Sequence, residues 1–181
     1  MKKIKTIIFL AFVLCAVFAI NAGLFQGQLN RFGIMPRELD GLAGILFSPF
    51  LHGSASHLFN NLIGLSIFSL ITMTHGIRYF WRVSIFIIVF GGFGVWLFGR
   101  SNIHIGASGW IFGLWALSIA NAWYNRSLKT FFIAIVVILL WGGMILGVLP
   151  SQPQISFEAH LFGALAGILI AAKLPKQWRR K

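Results

Sequence analysis

Acidic side chains and cysteine are the scarcest features of this sequence. Its 181 residues include three acidic ones, Glu38, Asp40 and Glu158, against 15 lysines and arginines, so the net charge is +12. The single cysteine, Cys15, has no partner, which excludes an intrachain disulfide. Charged residues make up only 10% of the chain and apolar residues 58%, a balance that excludes an ordinary soluble globule.

Apolar runs make up most of the chain, and six of them predict membrane spans. The connections are short except for residues 23–56, where prolines and charges are mixed with apolar residues, so we predict an interfacial loop with short amphipathic helices. The sequence thus predicts one all-α, six-helix transmembrane domain over residues 1–181. Its spans cover about 7–22, 57–74, 79–98, 108–124, 130–149 and 157–172.

The basic residues predict the orientation of these spans. With a cytoplasmic N-terminus, only Arg31, Arg37 and Arg100 fall in outside segments, as the positive-inside rule requires. The charge therefore serves membrane orientation, and no nucleic-acid partner is expected. An alternative at the start is a cleaved signal peptide over residues 2–19, which would leave the later spans oriented as before. The inside basic residues are Lys2, Lys3, Lys5, Arg78, Arg82, Arg126, Lys129, Lys173, Lys176, Arg179, Arg180 and Lys181.

Polar residues inside predicted spans are costly in lipid and are therefore candidates for function. Ser108 opens the fourth span and His160 opens the sixth. At 1.5 Å per residue they lie roughly 25 Å and 20 Å from the cytoplasmic ends of their spans, hence at similar depth. Alone, the Gly106-x-Ser108-Gly109 string is weak, since a serine between helix-packing glycines explains an isolated match better.

Small residues follow each of these two polar residues at helical spacing. Gly109 and Gly113 follow Ser108, while Gly163 and Gly167 follow His160, and such spacing lets two helix backbones approach closely. Direct contact of the fourth and sixth spans would bring the serine hydroxyl within hydrogen-bond reach of the imidazole. The pattern therefore predicts a serine nucleophile activated by a histidine base.

A third polar cluster opens the second span. His57 and Asn61 are four residues apart and share one helix face, so their side chains could stabilise an oxyanion. The alternative is a polar helix start that hydrogen-bonds to the preceding loop. Glu158 lies only two residues from His160 and points to another face, so we do not expect a triad.

Together these motifs resemble the rhomboid family of intramembrane serine proteases. The matching residues are His52, His57 and Asn61 on the second span, Gly106, Ser108 and Gly109 on the fourth, and His160, Gly163 and Gly167 on the sixth. The resemblance implies a six-helix bundle in a bacterial inner membrane, with both termini cytoplasmic and the active site open to the periplasmic side. It implies a Ser108–His160 dyad without cofactor or metal, and an oxyanion hole formed by His57, Asn61 and the serine amide. His52 would support that network, and transmembrane proteins would be the substrates.

Two residue differences separate the chain from that family pattern. The family often has tyrosine four residues after the serine, whereas this chain has Phe112, which can still pack on an imidazole. Well-known bacterial members carry a Trp-Arg pair in the first loop, but residues 23–56 contain no tryptophan. The packing of that loop therefore needs another explanation.

Other classes of protein remain as alternatives. A rhomboid-like pseudoprotease would bind transmembrane helices without cleaving them, although both dyad residues are present here. A metal protein could use the outer histidines, but the chain has no His-Glu-x-x-His motif. A transporter is disfavoured because the chain shows neither inverted repeats nor paired membrane carboxylates.

Overall fold

Six long helices and a helical loop form the part of the chain that the structure describes. The structure is a computed structural model and describes residues 1–150 and 154–173. These residues form no β-strand, apart from an isolated bridge between Ile34 and His104, so the all-helical prediction is confirmed for them. The long helices are α1 (Lys2–Gly23), α2 (Ala55–Thr72), α3 (Ile77–Phe98), α4 (Ser108–Asn125), α5 (Leu128–Trp141) and α6 (Phe157–Lys173).

Four helices, counted with their short extensions, are long and apolar enough to cross a membrane. They cover Lys2–Gly23, Ala55–His75, Ile77–Phe98 and Leu128–Val148. Only 17% of the first and 11% of the last are buried inside the protein, so both lie at the periphery with apolar surface for lipid. Helices α4 and α6, with 18 and 17 residues, are about 27 and 26 Å long at the helical rise and are not among these four. The count of six spans therefore stays a prediction.

Helix α4 occupies the centre of the bundle. Every residue from Trp110 to Ser118 is buried, and a helix that is apolar and buried on all sides belongs in a core. Two of its polar side chains bond to α3: the Trp110 Nε1–H donates to Ser84 Oγ at 3.0 Å, and the Asn121 amide donates to the Tyr79 hydroxyl at 3.2 Å. Side chains on α4 are thus fixed from several directions.

Helix α3 contains one wide turn where it meets α6. Regular α-helix covers Ile77–Phe86 and Gly92–Phe98, and a π-helical turn covers Ile87–Gly91 between them. A Cβ at Gly91 would lie 3.2 Å from the Gly163 Cα, so the two backbones nearly touch. The wide turn therefore lies where the third and sixth helices pack most closely.

The loop between α1 and α2 is built from short helical turns. Asn21, at the end of α1, accepts from the Leu29 amide at 2.9 Å and donates to Asn30 at 3.0 Å, which fixes the start of the loop. Large apolar side chains such as Leu39 and Leu46 are 79% and 57% exposed, as expected for a segment at the membrane interface. The turns cover Gln28–Phe32, Leu39–Leu42, Gly44–Phe47 and Ser48–Phe50.

Arg37 attaches this loop to the end of α3. Its guanidinium donates to the Gly99 carbonyl at 2.8 Å and to Ser101 Oγ at 3.0 Å. Trp96 on α3 donates from Nε1 to the Glu38 carbonyl at 2.8 Å. A tryptophan from the third helix thus packs beside the loop arginine, although the loop itself has none. The basic tail from residue 174, with Lys176, Arg179, Arg180 and Lys181, lies outside the described residues.

Candidate active site

Ser108 is the first residue of α4 and follows a sharply turned loop. Gly106 has φ +109°, a conformation that glycine adopts without strain, and its amide donates to the Ser48 carbonyl at 2.8 Å. A Cβ at Gly106 would lie 2.6 Å from His57 Nε2 and 3.3 Å from Asn61 Nδ2. Only glycine fits there. The absence of a side chain lets the two polar groups of α2 approach the loop before Ser108, residues 99–107, which we call the serine loop.

His160 lies in the first turn of α6 and is held on two sides. Its Nδ1 is 2.9 Å from the Gly147 carbonyl, which can only accept, so Nδ1 carries the proton and Nε2 has the lone pair. The Phe112 ring stacks on the imidazole with centroids 4.0 Å apart and planes 2° apart. The ring orientation and the tautomer are therefore both fixed as a general base requires.

Helices α4 and α6 touch through glycines. A Cβ at Gly163 would collide with the Gly109 carbonyl, and a Cβ at Gly167 would collide with the Gly113 carbonyl. On the other helix, a Cβ at Gly109 would lie 3.0 Å from the Ala159 carbonyl oxygen. Backbone therefore packs on backbone over two turns, immediately after Ser108 and His160.

The polar cluster of α2 is connected by hydrogen bonds and ring contacts. The Asn61 amide donates from Nδ2 to His52 Nε2 at 3.0 Å, and the His52 and His57 rings meet edge to face at 5.0 Å. Burial, with a smaller contribution from His57, lowers the pKa of His52 to about 4, so this imidazole is neutral near pH 7 and accepts the bond. The second Nδ2 proton of Asn61 remains available to a ligand.

One cleft of about 690 Å³ brings most of the predicted site residues together. Ser108, His160, His57 and Asn61 all line it, as does Phe112, whereas His52 lies behind Asn61. Among the residues that the structure describes, no hydrogen bond joins Ser108 to His160; the two side chains face the same space from adjacent helices. Catalytic hydrogen bonds are often long before substrate binds and tighten in the complex. Gly106 and Gly109 line a smaller cavity of about 30 Å³ next to it.

Two contacts at the site were not predicted from the sequence. The Gly147 carbonyl accepts from His160, and a Cβ at Gly147 would lie 2.7 Å from the Phe112 ring, yet nothing in the local sequence marks this glycine among its neighbours. Glu158 binds Arg100 Nε at 2.5 Å, so its carboxylate is directed to the loop before α4. Arg100 and Glu158 are 58 residues apart in the chain, so their pairing follows only from the three-dimensional fold.

The other histidines have structural partners. His104 donates from Nε2 to the Arg100 carbonyl at 3.0 Å, so its Nδ1 accepts from the Ser156 hydroxyl at 2.6 Å. His75 lies near the opposite end of the bundle, beside Tyr79. Within residues 1–150 and 154–173, no three side chains of His, Cys, Asp or Glu group in a way that could hold a metal ion.

Comparison with known proteins gives matches over most of the chain. A family model described as Rhomboid domain matches residues 40–177. Uncharacterized proteins of Mycobacterium bovis and Mycobacterium tuberculosis are each 35% identical over 167 residues, which covers 87% of this chain and 69% of the relative. An uncharacterized protein of Mycobacterium leprae is 32% identical over 166 residues, covering 87% of this chain and 66% of the relative.

Proposed function

Because this chain belongs to the rhomboid family, we propose that it is an intramembrane serine endopeptidase with Ser108 as nucleophile and His160 as base. One observation supports this most directly. His160 is held by Gly147 as the Nδ1–H tautomer, and it lines the same cleft as the serine at the start of α4. The lone pair needed to accept a hydroxyl proton is therefore on Nε2, the nitrogen that the backbone leaves free.

The proposed reaction uses these groups in sequence. Nε2 of His160 accepts the Ser108 proton as Oγ attacks a peptide carbonyl carbon, and the carbonyl electrons move to the oxygen. The tetrahedral intermediate collapses when His160 protonates the leaving amine and the C–N bond breaks. His160 then takes a proton from a water molecule as the water oxygen attacks the ester carbonyl carbon. The bond from that carbon to Ser108 Oγ breaks, and His160 returns the proton to Oγ, which restores the serine.

The developing oxyanion needs donors, and three surround the serine loop. The Ser108 amide is at a helix N-terminus, where backbone N–H groups have no partner inside the helix. Asn61 offers its second amide proton, and His57 lies on the same helix face beside Gly106. In serine hydrolases, removing one such donor typically lowers kcat by about 10²–10³.

The proposal includes six membrane spans with cytoplasmic termini, in a bacterial inner membrane. The cleft is lined by the beginning of α2, the beginning of α4 and the beginning of α6, so the site is at one end of the bundle. The distribution of lysine and arginine would place that end on the periplasmic side. Substrates would be transmembrane segments, and small or helix-breaking residues near the cut would help them to unwind.

The test is cleavage of a panel of single-span proteins by purified wild type, Ser108→Ala and His160→Ala. We expect both substitutions to abolish cleavage, and a fluorophosphonate probe to label wild type but not Ser108→Ala. The matched control is Ser56→Ala, which removes another hydroxyl that lines the same cleft and that, in the described part of the chain, bonds to Ser54. That variant should keep its activity.

A family member that binds transmembrane helices without cleaving them is the competing function. The absence of a hydrogen bond between the candidate dyad residues in the described structure is the observation in its favour. Folded wild-type protein that neither reacts with the fluorophosphonate nor cleaves any substrate, yet co-purifies with single-span segments, would establish this binding function and reject the protease.

A further inference from the structure

An ion pair outside the cleft joins the loop before α4 to the start of α6. Arg100 binds Glu158 through Nε at 2.5 Å and through Nη2 at 3.2 Å, and Nη2 also donates to the Ile155 carbonyl at 2.9 Å. The Arg100 backbone amide donates to the same carboxylate at 3.2 Å. The planar guanidinium fork thus holds two segments that are far apart in the chain, a geometry that lysine cannot reproduce.

A second set of hydrogen bonds runs parallel to this ion pair. The Arg100 carbonyl accepts from His104, His104 accepts from the Ser156 hydroxyl, and Ser156 Oγ accepts from the Ala159 amide at 3.1 Å. Ser156 therefore caps the N-terminus of α6 while it is bound to the serine loop. Residues 100–104 and 155–159 are held together by both sets of bonds.

The carboxylate of Glu158 is the more deeply buried member of the ion pair and therefore depends more on its partner. The Glu158 side chain is only 5% exposed, whereas that of Arg100 is 39% exposed. A buried carboxylate must be paired, so removing the arginine would leave an uncompensated charge in the first turn of α6. That turn carries His160, two residues further along the chain.

The two joined segments lead directly to the two candidate catalytic residues. The serine loop continues from Arg100 to Ser108, and α6 continues from Glu158 to His160. On the membrane side the glycine contacts of α4 and α6 set their separation. On the open side the two sets of bonds, together with the Arg100 guanidinium over the Phe157 ring at 5.0 Å, join the segments that lead into these helices. The relation between the hydroxyl and the imidazole therefore depends on this outer connection.

We propose that Arg100 and Glu158 are positioning residues that set the approach of Ser108 to His160. The inference rests on the proposed protease function and adds that neither residue touches the substrate. A displacement of about 1 Å between reacting groups can cost about 10²-fold in rate, so loss of the pair should act on kcat. The Michaelis constant should change little, because the substrate contacts remain.

The experiment measures cleavage kinetics and the rate of fluorophosphonate labelling for Arg100→Gln, Glu158→Gln, Arg100→Lys and the double glutamine variant. We expect each single glutamine variant to lower kcat by about 10- to 100-fold with a KM within about twofold of wild type. Arg100→Lys should recover little of this loss, and the double variant should be no slower than the slower single variant. Labelling should slow in the same order.

Arg37→Gln is the matched control. It removes three guanidinium hydrogen bonds to Leu97, Gly99 and Ser101 near the start of the serine loop, but none to α6. Its kcat, normalised to the labelled fraction, should stay within about twofold of wild type even if its melting temperature falls.

Three results would overturn the positioning role. The first is full recovery by Arg100→Lys, which would mean that charge alone matters. The second is a normalised kcat unchanged in both glutamine variants, with only the folded fraction reduced, and the third is a double variant whose losses multiply. If wild type itself neither cleaves nor labels, the proposed function fails as well, so the two failures are distinguishable.

Discussion

Gly147 shows how one backbone group can orient a candidate catalytic side chain. Its carbonyl accepts the Nδ1 proton of His160, the role that a carboxylate has in a Ser-His-Asp triad. The carbonyl carries no charge, so it fixes the tautomer but stabilises an imidazolium less than a carboxylate would. Phe112 adds the stacking surface that holds the ring plane.

The first prediction concerns the space beside this glycine. In Gly147→Ala the new methyl group would lie 2.7 Å from Phe112 Cζ and 3.4 Å from His160 Nδ1, so the stacked pair must move. We expect cleavage to slow by about tenfold or more, measured on the same single-span substrates. Gly143 is on the same short helix, Gly142–Val148, and a methyl group added there would have no atom within 4 Å. Gly143→Ala should therefore retain the wild-type rate. Equal rates for the two variants would contradict this role of Gly147.

Side chains whose chemistry is unusual in lipid could be found from the sequence. Ser108, His160, His57 and Asn61 were predicted because polar groups in apolar runs are expensive, and the structure places all four around one cleft. Gly147 and Arg100 could not be found in this way. A carbonyl carries no residue-specific signal, and an arginine in an outer loop is an ordinary surface residue until its partner is known.

At the scale of helices, the contact between α4 and α6 depends on glycines, which have no side chain to hold the backbones apart. The carbonyl oxygens of Gly109 and Gly113 occupy the space that Cβ atoms on Gly163 and Gly167 would need. Without a hydrophobic drive between helices in lipid, such close packing and the dispersion energy it gives are what hold two spans together.

The second prediction tests this contact with a single methyl group. Gly163→Ala would push the Gly109 carbonyl away, and overpacking of this kind typically costs about 1–3 kcal/mol. We expect the melting temperature in detergent to fall by several degrees. Thermal unfolding can be monitored by tryptophan fluorescence or circular dichroism. Gly23→Ala, whose added methyl has no atom within 4 Å, should melt like wild type. A Gly163→Ala protein as stable as that control would show that the helices have room to separate.

Helix positions were well predicted, but irregular turns were not. Each predicted span begins within a few residues of the first residue of a long helix. The reason is that the length of an apolar run and the thickness of the membrane set where such a helix starts and ends. The π-helical turn Ile87–Gly91 has no counterpart in the sequence pattern. Its apolar residues are equally compatible with a regular helix, and the turn lies where the backbone of Gly163 on α6 comes close to Gly91.

For the whole molecule, the third prediction is the direction in which it crosses the membrane. In a Cys15→Ala background, a cysteine at Asn102 should react with an impermeant maleimide added to intact spheroplasts, because this residue is exposed at the cleft end. A cysteine at Leu128, which is 90% exposed at the opposite end, should react only after permeabilisation. The reverse pattern of labelling would refute the proposed orientation, and labelling of both positions in intact cells would refute the proposed spans.

The cleft carries no formal charge at neutral pH in its described lining, apart from any protonated histidine. Its walls are Gly53, Ser54, Ser56, His57, Asn60, Asn61, Ile103, His104, Ile105, Ser108, Phe112, Gln154, Ile155, Ser156 and His160. Such walls offer no charge to pair with a substrate, and a segment that carries no charge is not steered by the field of the protein. Turnover of an uncharged segment in neutral detergent micelles should therefore be nearly independent of ionic strength between about 0.05 and 0.5 M. Under the proposed protease function, an uncharged substrate would therefore reach the cleft by lateral diffusion, despite the protein's net charge of +12.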